Sequence, residues 1–339
     1  MFFMYSRIGG YLSIFLLLLL ITPSLHAAKT NERPVPVGGG PTNIYCVMAI
    51  LDLDQISDAE QSFTVNLFVR CSWNDPREAH GENGVIIREL REVWTPTLFF
   101  LNRQKVWSAW DPRVEITPSG YVTYRQNFWG DFSQPLNLRE FPFDNQELEI
   151  MLVNGGSSDF GNLELLPDPD LASFIEERSS VVNWEIIGSA VRTEPHVLPT
   201  GHQVEAISLV FSVQRLSEYY LIKFIAPLLL ILGLSWVVFW LDPTEGGAQL
   251  GVAVTTCLTV IAYHLAISSS LPAIPYLTRM DVFVFGATLL VFLSMIEVVT
   301  TTGLARSGRV KAARWMDRMS RLLFPSLLVL IMLYAFVLR

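Results

Sequence analysis

Between Gln249 and Pro272 the chain reads QLGVAVTTCLTVIAYHLAISSSLP. Taken alternately four and three residues apart, Gly251, Thr255, Leu258, Ala262, Leu265 and Ser269 fall on one face of a helix. No bond-making chemistry suits that set. Ion passage does: hydroxyls can touch a partly dehydrated ion, and a ring of Leu can close a path by dewetting. Pro272 ends the stretch. At ~1.5 Å per residue its helical part spans roughly 30 Å, one bilayer core. The alternative reading is a helix that packs on others through its small residues.

Catalytic signatures are missing. The chain contains no G-x-S-x-G, no H-E-x-x-H and no G-x-x-x-x-G-K, so the expectation is neither an enzyme nor a cofactor carrier. Past the N-terminal segment the histidines are His80, His196, His202 and His264. Only His196 and His202 are close in sequence, on a Pro- and Gly-containing stretch that reads as a loop. They are candidates for sensing a ligand or pH rather than for holding a metal.

The elements that must position the stripe follow from composition. The chain has 339 residues, 51% of them hydrophobic, and a mean hydropathy of +0.37, which suits part soluble domain and part membrane. Residues 1–28 read as a secretory signal peptide: Arg7, an apolar run Ile14–Ile21, then Ala27-Ala28. Residues 29–218 alternate short Val/Ile/Phe/Thr-rich segments with turn clusters. Phe63–Ser72, Tyr121–Phe128, Glu147–Val153 and Ile207–Gln214 read as strands of an all-β sandwich. This part holds 27 acidic and 14 basic residues, a net of −13, which favours cations nearby and argues against nucleic acid. Cys46 and Cys71 would meet if their strands pair; spacing alone leaves that open.

Residues 219–339 read as four membrane spans: Tyr220–Leu241, the central stretch, Met280–Thr300 and Leu322–Leu338. The third-to-fourth connection carries Arg306, Arg309, Lys311, Arg314, Arg318 and Arg321 against Asp317. Positive connections stay cytoplasmic, so the outer domain and the C-terminus both face out. That agrees with a signal peptide and predicts a multi-pass protein of an inner (plasma) membrane with its N-terminal domain periplasmic.

With these elements in order, the chain resembles the pentameric ligand-gated ion channels, the Cys-loop receptor superfamily. Phe141-Pro142-Phe143-Asp144-Asn145-Gln146 is similar to the signature loop. Trp73-Asn74-Asp75-Pro76-Arg77 and Trp94-Thr95-Pro96 are similar to the inner-sandwich motifs. Arg215 with Tyr219-Tyr220 and Pro227, then Thr255-Thr256-Cys257-Leu258-Thr259, then Leu271-Pro272 through Pro275-Tyr276, Thr278 and Asp281, match the membrane half. The cysteines that would bracket the signature loop are absent and the third-to-fourth connection is short, which resembles the prokaryotic branch.

The resemblance implies an all-β extracellular sandwich followed by a four-helix transmembrane domain, assembled as a homopentamer around a central pore in a lipid membrane. It implies that Phe68, Leu101 and Asn102 match positions of an agonist cage between neighbouring subunits. It implies that Asp58, Asp144 and Arg215, with Pro272, couple the outer domain to the pore. Few aromatics are available for a cation–π cage, which favours a proton or small polar agonist over a quaternary amine. Selectivity is read from charge. No Lys or Arg lies between Leu241 and Ser270, while Asp242 and Glu245 stand at the inner mouth. The expectation is a ligand- or proton-gated channel that passes inorganic cations. The alternatives are an anion-selective channel and a non-conducting binding protein anchored by the same helices.

Overall fold

The computed structural model describes residues 32–156, 161–176, 179–268 and 274–338. The signal-peptide reading, Ser269 and Pro272 lie outside the described residues.

The alternating segments form two packed sheets. One contains β1 (Thr42–Ser57), β2 (Ser62–Asn74), β3 (Ile86–Glu89), β5 (Arg103–Ser108), β6 (Arg113–Ile116), β7 (Tyr121–Ser133), β9 (Leu163–Pro167) and β10 (Phe174–Ile175). Its order is β10-β1-β2-β7-β6-β3, with β5 on β7 and β9 on β1. The other runs β11-β12-β8-β4, from β4 (Leu98–Phe100), β8 (Asn145–Asn154), β11 (Trp184–Val197) and β12 (Gln203–Arg215). In β2 the residues Phe63, Val65, Leu67, Val69 and Cys71 alternate inward, the period-two pattern of a half-buried strand. Phe63 stacks on Phe132 of its own sheet at 5.6 Å and meets Phe211 of the facing sheet edge-on at 5.5 Å. These rings join the two layers.

The motifs have local work to do. Trp73 is buried edge-to-face against Trp94, 5.8 Å between centroids. Asp75, fully buried, accepts from the Arg77 backbone N–H and from its guanidinium. Gly120 turns the chain after Pro118-Ser119 with φ +82, and a Cβ there would stand 2.6 Å from the Asp75 carbonyl oxygen. Cys46 and Cys71 are directly opposite in the β1–β2 register and are joined by a disulfide.

Among the described residues four helices of membrane-spanning length follow: α1 (Glu218–Trp240), α2 (Gly246–Ser268), α3 (Arg279–Arg306) and α4 (Val310–Leu338). Thr278 and Asp281 form a reciprocal capping box at the start of α3. Three expectations need correction. Helix α4 begins at Val310, twelve residues before Leu322, because its first turns are polar and amphipathic while still helical. The third-to-fourth connection is therefore only residues 307–309, and Arg314, Arg318 and Arg321 lie on the helix. Helix α2 begins at Gly246, three residues before Gln249, so Gly246-Gly247-Ala248 are its first turn.

Candidate functional site

Where β12 ends and α1 begins, Arg215 is held from all sides. Its side chain is 1% exposed, between Asp144 (1%) and Asp58 (18%). Nε donates to Asp144 Oδ1 at 2.7 Å, and Nη1 and Nη2 donate to the Asp58 carboxylate at 2.8 and 2.7 Å. Gln146 Nε2 donates to Asp144 Oδ2 at 2.6 Å. The guanidinium also lies over Trp184, 4.0 Å from the ring centroid, and near Phe141 and Tyr220. Burial works against its charge, but the two carboxylates outweigh burial and hold its proton more tightly than on a free arginine. Three segments meet here: the β1–β2 turn, the signature loop before β8, and the end of β12.

The signature loop also grips the membrane helices. Arg279 and Met280, at the start of α3, donate their backbone N–H groups to the carbonyls of Arg139 and Phe141. Tyr276 Oη accepts from Leu138 N–H at 3.0 Å and donates to the Leu136 carbonyl at 3.3 Å. Phe143 meets Phe336, near the end of α4, at 5.6 Å. Replacing Tyr276 with Phe leaves the amide of buried Leu138 without an acceptor, which costs about 1–3 kcal/mol. Tyr276→Phe should lower the melting temperature of the assembled protein and shift its activation midpoint; a variant unchanged in both would contradict this coupling.

On α2 the stripe points away from the rest of the chain. Gly251, Thr255, Leu258, Ala262 and Leu265 are exposed, Leu258 by 62% and Leu265 by 67%. The opposite face, Ala253, Thr256, Cys257 and Val260, is buried against the bundle. The small residues of the stripe are thus not used to pack α2 on the chain's own helices. The Thr255 hydroxyl donates to the Gly251 carbonyl at 2.8 Å, which leaves its oxygen lone pairs outward.

At the inner end the two acids differ. Asp242 accepts from the Thr244 N–H and hydroxyl and pairs with Arg314 of α4 at 2.9 Å. The Thr244 bonds, then Arg314, hold its carboxyl below the usual carboxylate range. Asp242 is thereby paired with α4 rather than left free beside α2, a correction to its expected place with Glu245 at the mouth. Glu245 is exposed immediately before α2 and shares a shallow cleft with Arg306 of α3.

The expected ligand residues are not gathered within one chain. Phe68 stands on β2 of the first sheet, edge-on to Trp110 at 6.3 Å. Leu101 follows β4 and packs on a small apolar cluster of Val153, Leu198, Val204 and Ala206. Asn102 spends its amide on the backbone: Nδ2 donates to the Glu149 and Ser133 carbonyls, and Oδ1 accepts from Met151 N–H. His196 is on strand β11 opposite Val204, not in a loop. His202 is in the β11–β12 turn, with Nδ1 3.1 Å from the Thr200 hydroxyl. Among the described residues no three His, Cys, Asp or Glu side chains could hold a metal ion.

Two family models match the chain: the neurotransmitter-gated ion-channel ligand binding domain over residues 20–153, and the neurotransmitter-gated ion-channel transmembrane region over residues 224–312. The chain is a member of this ligand-gated ion channel family. The proton-gated ion channel of Gloeobacter violaceus is 26% identical over 318 residues, covering 92% of this chain and 88% of that protein. The gamma-aminobutyric acid receptor subunit beta-4 of Gallus gallus is 26% identical over 268 residues, covering 77% of this chain and 55% of that longer subunit. The ligand-binding match ends at Val153 and the membrane match begins at Phe224, so the Asp144–Arg215 pair links a matched segment to an unmatched one.

Membership gives the architecture its meaning. The β-sandwich is the extracellular domain, the four helices cross the membrane, and the family's business is gated ion passage rather than catalysis. Sequence reasoning missed Tyr276, Arg279 and Phe336 as contacts of the signature loop. Tyr276 and Asp281 were visible only as parts of a motif, and nothing in Phe336 marks it before the helix ends are placed.

Proposed function

We propose that this chain forms a homopentameric cation channel of an inner (plasma) membrane. Residues 1–28 direct the outer domain across that membrane and are removed. The outer domain, 29–218, receives a proton or a small polar ligand, and the helices of 219–339 enclose the pore. The observation that carries this is the outward stripe of α2. Gly251, Thr255, Leu258, Ala262 and Leu265 turn a graded small, hydroxylated and apolar face away from the bundle. An anchor helix gains nothing from that gradient; a pore wall does.

Beside Leu101 the apolar cluster of Val153, Leu198 and Val204 carries the ring of Phe99, which Arg103 already overlies, leaving little ring face for an amine and favouring a proton or small polar stimulus. The Gloeobacter relative is proton-gated and the chicken relative belongs to a gamma-aminobutyric acid receptor, so such stimuli occur on this fold. Phe68 and the pair His196 and His202 are the side chains assigned to sensing, with Leu101 and Asn102 shaping the pocket wall.

Cation preference rests on Glu245. With Asp242 committed to Arg314, Glu245 is the exposed acid directly before the pore helix, and no Lys or Arg lies between Leu241 and Ser270. At physiological salt the Debye length is ~8 Å, so only charges beside the path count. Purified protein in a planar bilayer under a salt gradient tests the whole reading. Unitary currents should appear, reversing near the cation equilibrium potential, and Glu245→Gln should move that reversal toward zero. No unitary currents under any stimulus would favour a non-conducting binding protein. Reversal at the chloride potential would reverse the selectivity. Currents constant across the titration range of carboxylates and histidines on the outer side would remove protons as the stimulus.

A further inference from the structure

Near the cytoplasmic end of the bundle, α3 and α4 face each other through two acids. Glu297 is 8% exposed and Asp317 2%. Asp317 stands three residues before Ser320 on the same face of α4, the face that meets Glu297 of α3. Ser320 Oγ donates to Glu297 Oε1 at 3.1 Å. Glu297 Oε2 and Asp317 Oδ1 are buried and receive no donor. Buried oxygens without donors are costly, and two adjacent buried carboxylates repel. One proton placed between them answers both: it supplies the missing donor and removes one charge.

We propose that Glu297 and Asp317 form a proton-binding site, holding one proton between α3 and α4 and exchanging it with the cytoplasm. The O–H of one carboxyl donates to the facing oxygen of the other. The exchange route is a cleft of about 210 Å³ lined by Trp240, Asp242, Arg314, Asp317, Arg318 and Arg321. It reaches Asp317, not the outer domain, so the site reads the inner solution.

The surrounding charges are few. Helix α2 presents no Asp, Glu, Lys or Arg, and on α3 the other charged residues are Arg279, Asp281 and Arg306, near its two ends. The α1–α2 connection contributes Asp242, which is paired with Arg314. Helix α4 contributes Arg321, whose guanidinium donates to the Phe239 carbonyl at 3.0 and 2.8 Å. Arg318 donates to the Arg314 carbonyl. Loss of the proton leaves two anions face to face and loosens α4 from α3. Because Phe336 of α4 packs on Phe143 of the signature loop, a loosened α4 weakens the domain junction. An alkaline cytoplasm should therefore lower open probability.

Two readouts test this on the assembled protein in lipid. Infrared difference spectra at neutral pH should show the carbonyl stretch of one protonated carboxylic acid per chain. That band should shift in D2O and vanish in Glu297→Gln. In bilayers with the outer solution fixed, raising cytoplasmic pH should lower wild-type open probability about fivefold or more, and Glu297→Gln should be flat. Asp317→Asn should flatten the response as well. Absence of the acid band at neutral pH overturns the proposal, as does a band that survives in Glu297→Gln. Wild-type currents indifferent to cytoplasmic pH overturn the coupling to gating. If the variants fail to assemble, the wild-type band decides: it must titrate with inner pH, and a wild type without it refutes the site.

Discussion

Arg215→Ala should abolish gating and reduce the yield of assembled protein. The side chain is almost wholly buried, and it is the shared partner of Asp58 and Asp144. Removing it leaves the Asp144 carboxylate, itself 1% exposed, with Gln146 as its remaining side-chain donor. Breaking a buried pair from one side costs roughly 3–5 kcal/mol, because an uncompensated charge stays behind. A sizeable share of a domain's stability is at stake, since folded proteins hold only about 5–15 kcal/mol in reserve. Arg215→Lys separates charge from geometry: an ammonium keeps the charge but cannot offer the fork that binds two carboxylates at once. It should assemble better than the Ala variant and still need a stronger stimulus. Size-exclusion profiles give assembly, and activation curves in bilayers give gating. An Arg215→Ala protein that assembles normally and opens with wild-type sensitivity would remove the cluster from the coupling mechanism.

The cluster was legible only through the resemblance. Asp58, Asp144 and Arg215 are up to 157 residues apart, and no periodicity joins them. Strand β2 was legible directly, because Phe63 through Cys71 alternate as a half-buried strand must. The β1–β2 register was not. It shifts between Ile50 and Asp52 and again between Leu53 and Gln55, so counting residues from the turn does not reveal that Cys46 meets Cys71. The start of α4 was misplaced because apolar runs mark the membrane core, not helix ends. From Val310 to Arg321 the helix carries Lys311, Arg314, Arg318 and Arg321, so an apolar window stops short of its true start. Asp242 shows a further limit. Its proximity to α2 suggested a pore-mouth charge, yet Arg314, 72 residues later, claims it. Such long-range pairing is set by how helices pack, and hydropathy carries no trace of it. Asn102 is similar: its amide looked available for a ligand, and the backbone of β8 consumes it.

Leu258→Ser should shift the channel toward its open state. Leu258 occupies the middle of the α2 stripe and is 62% exposed in the single chain, turned away from buried Cys257 and Val260. Around a pore axis such residues form an apolar ring that can empty of water when narrow. Hiding a Leu side chain from water is worth about 1.5–3 kcal/mol. If the closed ring hides even half of that per chain, replacing Leu with a hydroxyl in every subunit shifts the closed-to-open balance by more than about 1.4 kcal/mol, a factor of ten. The activation midpoint should move to weaker stimuli by about tenfold or more, with spontaneous openings in its absence. Leu265→Ser, two helical turns nearer the outside, should act in the same direction. Leu230→Ser on α1 is the control: Leu230 is 75% exposed but belongs to another helix, and its replacement should leave the midpoint in place. Single-channel recording of the three variants distinguishes a gate from general loosening of the bundle. Unchanged currents and unchanged sensitivity in Leu258→Ser would exclude that ring as the barrier.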